Sequence, residues 1–186
     1  MNATAAGRHD APHGTRSGPA SAPDTVGAMD AQIAARIFAF LDAHHVMSLA
    51  TCGGEGPHAA SVFYVRDGRV LLWVSDPMSR HSVELAADAR VAATVAPDCS
   101  DMDDVRGVQI SGHAQAVAGE LQRMHAHRLL EARYPCVKRL LSSGSSHDLF
   151  AKMQFYRLEP ERMSLIDNSR GFGHKEQIHL RSAADG

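Results

Sequence analysis

Apolar and polar positions follow one another with changing periods along the chain, and each change marks an expected helix or strand. After Asp30, which is available as a helix N-cap, apolar side chains recur at helical spacing: Ile33, Ile37, Phe40 and Leu41. This spacing predicts a first amphipathic helix. Three apolar runs follow, and we expect them to form strands: His45–Thr51, Pro57–Val65 and Arg69–Val74.

Short turns separate these three predicted strands. The Gly-rich segment Cys52–Gly56 lies between the first and the second, and Asp67-Gly68 lies between the second and the third. An Asp-Gly pair between two apolar runs is a strong signal for a β-hairpin. We therefore expect the three strands to form an antiparallel meander.

The chain then returns to a mixture of helices and strands. A helix over Ser79–Ala87 leads to a strand at Val91–Val95, and a long strand at Gly107–Val117 comes later. The loop between these two strands is acidic, with Asp98, Asp101, Asp103 and Asp104. Gly112 inside the long strand predicts a β-bulge or a close approach of another backbone segment.

Four further elements complete the prediction. They are a helix from about Gly119 to Arg133, a short helix at Pro135–Leu141, and closing strands at Phe150–Leu158 and Arg162–Ile166. Together the predicted elements form a mainly antiparallel β-barrel with helices at its ends, an α+β arrangement in which strands dominate.

The N-terminal segment differs from the rest of the chain. Residues Met1–Gly27 are rich in Ala, Gly, Pro, Ser and His, and Val26 is their only branched aliphatic residue. Such a segment cannot offset its ordering entropy by burying apolar surface. We expect a disordered tail over residues 1–28 and a single domain over residues 29–186.

Composition narrows the class of protein. The chain has 186 residues, a length that fits one domain. Its 19 Lys and Arg are balanced by 21 Asp and Glu, for a net charge of −2. This balance favours neither a nucleic-acid partner nor cationic docking to a membrane. Cys52, Cys99 and Cys136 are too far apart for a zinc site or a disulfide framework. No apolar run approaches the roughly 20 residues of a membrane span, so we expect a cytoplasmic protein.

The most informative local signal is the turn that carries Ser79, Arg80 and His81 at the start of a predicted helix. Free N–H groups and the helix dipole favour an anion there, while a hydroxyl and a guanidinium donate directed hydrogen bonds to phosphate oxygens. The alternative is that Asp76 caps the helix with Pro77 in its first position, so that the three residues are ordinary solvated side chains.

The order of elements over Ala31–Val117, together with the Ser-Arg turn, resembles the FMN-binding split barrel of the pyridoxamine 5'-phosphate oxidase superfamily. That superfamily typically has Ser-Arg-Lys in this turn, so His81 here replaces a permanent positive charge. Two C-terminal motifs, Arg133–Leu141 and Asp167–Lys175, resemble a small group of bacterial split-barrel proteins of the YhbP type. The resemblance identifies relatives and not a reaction.

The resemblance implies a flavin site. The flavin-contacting strand corresponds to Ala59–Tyr64, where Ala60, Ser61 and Val62 would line one edge of the ring, and Ser75, Ser79, Arg80 and His81 would surround the phosphate. Ala59 and Tyr64 stand where the oxidases have Arg and Lys, so two charged contacts are missing. The glutamine of the oxidase falls at Gly107, with Arg106 and Gln109 as nearby substitutes.

Sites in this superfamily usually form between two subunits, so a homodimer with the ligand at the interface is expected. Arg170 and Phe172 in the Asp167–Gly173 segment would then reach a flavin or substrate across the interface. The alternative for this segment is a purely structural turn, because Asn and Gly favour tight reversals. The C-terminal residues that hold pyridoxal in the oxidases have no counterpart here, so vitamin B6 chemistry is not implied.

Two functions follow from the resemblance. The first is an FMN-dependent oxidoreductase with a small-molecule substrate that the sequence does not identify; FAD or a deazaflavin could replace FMN. The second is a non-catalytic flavin or haem carrier or sensor, for which His58, His113 and His174 would be candidate axial ligands. We interpret Trp73 and Tyr64 as core or interface residues. Cys52 is either an exposed thiol or a small turn residue. The spacing of the histidines does not predict a metal site.

Overall fold

The computed structural model describes residues 24–137 and 152–180, and its centre is one antiparallel sheet of eight strands. The elements in chain order are α1 (Asp24–Ala43), β1 (Val46–Gly53), β2 (Gly56–Phe63), β3 (Val65–Asp67), β4 (Val70–Ser75), α2 (Arg80–Ala87), β5 (Arg90–Val95), β6 (Arg106–Ala116), α3 (Glu120–Arg133), β7 (Gln154–Asp167) and β8 (Lys175–His179). The strand order is β2-β1-β5-β6-β7-β4-β3, and β8 also pairs with β7. The sheet curls into a half-barrel with flanking helices, which confirms the predicted split barrel.

Alternating burial along the strands separates a core face from an outer face. On β1, Met47 and Leu49 are fully buried whereas Ser48 and Ala50 are exposed. The core side chains pack against Ile37 and Leu41 of α1, and a second, smaller apolar cluster forms beneath α3. The outer face of β1, β2 and β5 carries mainly small side chains, because bulky apolar residues occupy the core positions.

Trp73 and Tyr64 are both fully buried, in agreement with their interpretation as core residues. The Trp73 ring stacks on Tyr156 with centroids 5.5 Å apart. The Tyr64 hydroxyl donates a 2.6 Å hydrogen bond to the carbonyl of Leu41. Tyr64 lies between β2 and β3, so the predicted strand Pro57–Val65 is divided at this residue. β2 pairs with β1, whereas the short strand β3 pairs with β4, so the expected three-stranded meander is wrong and only its two hairpins form.

The first helix begins earlier than its apolar pattern indicates. α1 starts at Asp24, so the predicted N-cap at Asp30 is wrong, and Asp30 lies on the exposed side of a continuing helix. Residues 24–28 belong to this helix and not to a tail. These five residues include a single branched aliphatic, Val26, so periodicity alone could not detect this turn. The rest of the predicted tail, through residue 23, lies outside the described residues.

The predicted closing strands join into one. β7 runs without interruption through Pro160 to Asp167, and the predicted bulge at Gly112 is confirmed where the register between β6 and β7 shifts. A Cβ atom at Gly112 would lie 2.1 Å from the carbonyl oxygen of Glu159, so only glycine permits this approach. Phe150, most of the predicted helix Pro135–Leu141, and the other residues between 138 and 151 lie outside the described residues.

β8, which the sequence did not predict, pairs with the C-terminal half of β7. In the described part of the chain, no helix combines the length and apolar character needed to span a membrane.

Candidate functional site

The turn between β4 and α2 is held by Asp76. Its carboxylate accepts a 2.8 Å hydrogen bond from the N–H of Met78, and its carbonyl accepts another from the N–H of Ser79 at 3.0 Å. The N-cap of α2 is Ser79. The alternative in which Asp76 caps the helix and Pro77 opens it is therefore wrong.

The first turn of α2 has no side-chain cap. The Ser79 hydroxyl instead donates to the Ser82 hydroxyl at 2.9 Å and lies 3.2 Å from Nε2 of His81. Within the described residues, the helix therefore begins with N–H groups that receive no side-chain cap, next to two serine hydroxyls. Such an arrangement favours an anion, because the helix dipole and the N–H groups act in the same direction.

His81 is only 8% exposed, and its Nε2 lies 2.9 Å from the hydroxyl of Ser75 at the end of β4. Burial lowers the pKa of His81; proximity to His58 lowers it further, while Glu84 opposes the shift. The imidazole is therefore neutral at pH 7. Ser75, Ser79 and His81 form one hydrogen-bonded cluster, whose histidine supplies hydrogen bonds and not a permanent charge.

Arg80 is oriented by a residue that the sequence analysis missed. Its Nε donates to Oε1 of Glu84 at 2.8 Å, and a second guanidinium nitrogen donates to the carbonyl of Gly56 at 3.1 Å. Glu84 is buried and also accepts a 2.5 Å hydrogen bond from the Thr51 hydroxyl. The (i, i+4) spacing of Arg80 and Glu84 is the signal that could have indicated this pair.

Hydrogen bonds from Thr51 and Arg80 hold the pKa of Glu84 below its ordinary value. Space for the carboxylate exists because residue 53 is glycine: a Cβ atom there would lie 2.7 Å from Cγ of Glu84. Arg80 is 38% exposed in its side chain, so it can still reach a ligand, but its positive charge is partly balanced by the glutamate.

The predicted flavin-contacting strand β2 lies at the edge of the sheet and pairs only with β1 along the strand order. The Ser61 side chain is exposed, the Ala60 side chain is half-buried, and the Val62 side chain points into the core. Val62 can therefore contribute backbone groups only. The backbone groups on the free edge of β2 are not engaged in the strand ladder.

Gln109 lies elsewhere on the same face. It is exposed on β6, and β1 and β5 separate it from β2. Arg106 at the start of β6 pairs with Asp167 at 3.2 Å. Within one chain, the sequence-predicted residue Gln109 is therefore not brought together with the cluster at the start of α2.

Arg170 and Phe172 lie in the loop between β7 and β8, which hydrogen bonds of Asn168 hold in place. The buried side chain of Asn168 donates to the carbonyl of Met102 at 2.7 Å and accepts from the N–H of Gly173 at 3.0 Å. Arg170 pairs with Glu176 at 3.0 Å, whereas Phe172 is 80% exposed. These contacts support the structural-turn interpretation for Asn168, and they leave Phe172 free to contact a partner.

The other candidate ligands are dispersed. His113 pairs with Glu161 at 3.0 Å, His174 lies 3.8 Å from Glu176, and His58 is on β2 near His81. In residues 24–137 and 152–180, no three His, Cys, Asp or Glu side chains are grouped so that they could hold a metal ion. Cys52 is exposed at the end of β1.

Comparison with known proteins agrees with this fold. The chain is 29% identical over 138 residues to a UPF0306 protein of Serratia proteamaculans, which covers 73% of this chain and 88% of the relative. A haem-binding protein of Mycobacterium smegmatis superposes with a TM-score of 0.59 at 20% identity, over 86% of this chain and 60% of that one. An FAD-binding protein of Mesorhizobium loti superposes with a TM-score of 0.54 at 20% identity, over 71% and 90%.

A sequence profile described as pyridoxamine 5'-phosphate oxidase matches residues 33–167. The matched segment extends from the core positions of α1 to the end of β7 and includes the whole cluster at the start of α2. The chain therefore belongs to the pyridoxamine 5'-phosphate oxidase family.

Proposed function

We propose that this protein binds FMN and acts as an oxidoreductase on a small molecule. The observation that carries the proposal is the uncapped first turn of α2, with the hydroxyls of Ser75 and Ser79 beside it and Arg80 fixed at its edge. This donor set fits a phosphate monoester, because it combines free N–H groups, hydroxyls and a guanidinium. The existence of a flavin-binding structural neighbour supports the choice of ligand.

The residues present have distinct tasks in this proposal. In this proposal, Ser79 and the first N–H groups of α2 bind phosphate oxygens, and the Arg80 guanidinium, held by Glu84 and the Gly56 carbonyl, adds positive charge beside them. The free edge of β2 and the Ser61 hydroxyl supply hydrogen bonds along the flavin ring. A bound flavin supplies hydride transfer itself, so the protein needs to provide position and electrostatics and no obligatory acid or base.

We further propose that the site is completed by a second copy of the chain. Four grooves on the described part of the molecule have linings that do not include Ser75, Ser79, Arg80 or His81. A second copy would add walls to a flavin site at the start of α2. The exposed face of β1, β2 and β5 can supply a flat contact surface, and Gln109, Arg170 and Phe172 of a partner could approach the ring from across it.

Haem binding is the second candidate, and the Mycobacterium smegmatis neighbour favours it. Of the three candidate axial ligands, only His113 lines one of the four grooves, and that groove has a volume of about 180 Å³. Ligand sites are usually about 300–1,000 Å³, so this groove is small for haem. Because the start of α2 suits a phosphate and this groove is small for haem, we rank flavin above haem as the ligand.

The decisive experiment is the visible absorption spectrum of the purified protein, followed by titration with FMN and with riboflavin. We expect a flavin spectrum or saturable uptake of FMN, with FMN bound more tightly than riboflavin because only FMN has the phosphate. Arg80→Ala and Ser79→Ala should each remove most of this preference, while Arg123→Ala, an exposed arginine on α3, should not. Equal affinity for both flavins in all variants would contradict the proposed phosphate site.

Catalysis needs a separate test. Reduced flavin on the protein should be reoxidised by an added electron acceptor faster than free reduced FMN under the same conditions. Reoxidation at the rate of free FMN would favour the carrier or sensor function, and a Soret band in the spectrum would favour haem.

A further inference from the structure

One of these grooves, distinct from the one lined by His113, lies on the outer face of the sheet across strands β5 to β8. Its volume is about 420 Å³. Its polar lining residues are Thr94, Gln109, Ser111, Arg162, Ser164, Lys175 and Gln177. None of the side chains clustered at the start of α2 contributes to it. The groove is therefore separate from the proposed phosphate site.

Strand register explains why these side chains meet. Thr94 pairs with Gln109, Gln109 with Ser164, and Ser164 with Gln177, so one row of polar residues crosses four adjacent strands. Cross-strand partners on one face lie about 5 Å apart. Ala92 and Ser111 form the neighbouring row and lead to Arg162. Their short side chains leave the space that the longer residues surround.

The electrostatics of this groove are one-sided. Arg162 and Lys175 are exposed, and no Asp or Glu lines the groove. Among the described ion pairs, neither of these two cations has a carboxylate partner, whereas many arginines elsewhere do: Arg36, Arg66, Arg80, Arg90, Arg106, Arg157 and Arg170. Two uncompensated cations beside amide and hydroxyl groups favour an anionic ligand.

Part of the lining is already ordered. The buried hydroxyl of Ser164 donates to Oε1 of Gln177 at 3.2 Å, and Nε2 of Gln177 lies 2.8 Å from Nε2 of His179. These contacts fix the Gln177 amide before any ligand arrives, which reduces the entropy lost on binding.

We propose that this groove binds a small anionic molecule through an oxyanion, either a carboxylate or a phosphate, held by Arg162 and Lys175. The groove has the volume of a small-ligand site and lies on the same outer face as Ser61. The further assignment of this anion as the substrate rests on the proposed flavin function. The affinity of the groove for an anion does not depend on it.

The test uses the full-length protein with inorganic phosphate and citrate as probes, titrated separately by calorimetry or ligand-observed NMR. The variant is Arg162→Gln/Lys175→Gln. The control is Arg123→Gln/Lys152→Gln, which removes the same charge from two exposed residues that line none of the described grooves. FMN affinity is measured for each protein in parallel.

We expect at least one probe to bind wild type and the control alike, and to lose about tenfold or more in affinity in the groove variant, equivalent to about 1.4 kcal/mol. The probe that binds more tightly identifies the oxyanion. No saturable binding to wild type, or equal binding to the groove variant, overturns the proposal; an anion held at Arg80 instead would give the latter result. Failure of FMN to bind any of the proteins would overturn the flavin function separately.

Discussion

Glu84 affects both the orientation of the Arg80 side chain and the positive charge that Arg80 can offer to a ligand. Its carboxylate accepts hydrogen bonds from Arg80 and Thr51, so the guanidinium is held in one direction at the start of α2. The same carboxylate pairs with Arg80 at 2.8 Å and so reduces the local positive potential. The residue therefore improves the orientation of Arg80 and lowers the charge available for binding.

Glu84→Gln should lower thermal stability at pH 7, because the pKa of Glu84 is depressed in the folded protein. A depressed carboxyl pKa stabilises the fold fully above the unfolded value of about 4.3, and the contribution is lost as pH falls through the lower folded value. The difference in Tm between wild type and variant should thus shrink on acidification from pH 7 to pH 3. Glu55→Gln is the control: its carboxylate also pairs with Arg80, at 3.7 Å, but its side chain is 85% exposed, so the change should have little effect. A Tm difference for Glu84→Gln that is constant with pH would contradict this account.

His81 has a different effect on the site, because it supplies no charge at neutral pH. His81→Lys should increase affinity for FMN by about tenfold, since one additional charge-assisted hydrogen bond to phosphate contributes roughly 1.5 kcal/mol or more. Affinity for riboflavin should stay the same, because riboflavin has no phosphate. Fluorescence titration of both flavins, with circular dichroism to verify folding, measures the effect. A parallel gain for riboflavin would show that the new lysine does not act on the phosphate.

Among the secondary-structure elements, β6 and β7 determine the shape of the sheet. They pair along almost their whole length, and the register shifts only at Gly112, opposite Pro160. The N-terminal half of β7 pairs with β4 and its C-terminal half with β8. The bulge thus lies between the part of β7 that pairs with β4 and the part that pairs with β8.

Gly112→Ala should destabilise the fold by about 3 kcal/mol, a cost typical of severe overpacking. The added Cβ atom would lie 2.1 Å from the Glu159 carbonyl oxygen and 2.9 Å from Cα of Pro160, and both are backbone atoms that cannot rotate away. Gly54→Ala is the matched control, since a methyl group at residue 54 would have no neighbouring atom within 4 Å, and it should change stability by less than about 0.5 kcal/mol. Urea unfolding of the two variants measures both values, and equal stabilities would contradict the close approach.

At the scale of the whole molecule, the outer face of the sheet is exposed along β1, β2 and β5 in the part of the chain that the structure describes. Ser61, Ser48 and Thr94 form one exposed row across β2, β1 and β5, and Ala59, Ala50 and Ala92 form the next. Such short side chains allow close approach of another flat surface. The part of this face on β1 and β2 is therefore the proposed contact between two copies, and Ala92 and Thr94 lie at the border between that contact and the groove across β5 to β8.

Ala50→Glu should convert the proposed dimer into a monomer without unfolding it, because the residue is exposed in the single chain and a buried unpaired carboxylate is costly at an interface. Light scattering coupled to size exclusion gives the mass, and FMN titration gives the accompanying loss of affinity. Ala86→Glu on the exposed side of α2 is the control and should stay dimeric. A wild-type protein that is monomeric at micromolar concentration would refute the proposed assembly.

Local patterns predicted much of this fold and part of the site. The hairpin at Asp67-Gly68, the bulge at Gly112 and the strand-turn-helix around Ser79 depend on special residues or short-range periodicity, and all three are present. The continuity of β7 through Pro160 and the start of α1 at Asp24 were missed, because neither has a local apolar period. The (i, i+4) spacing of Arg80 and Glu84 is a local signal, but the burial of Glu84 and its hydrogen bond to Thr51 on β1 depend on tertiary structure.

The sequence by itself therefore determined the family and the order of most elements, and it singled out Ser75, Ser79, Arg80 and His81, which are close along the chain. Only the tertiary structure decided that Glu84 is buried against Thr51, that Gln109 lies two strands away from β1, and that Arg162 and Lys175 share a groove without carboxylates. The physical reason is that these relations depend on strand register and burial. Both are set by long-range pairing, which the spacing of residues in one sequence does not specify.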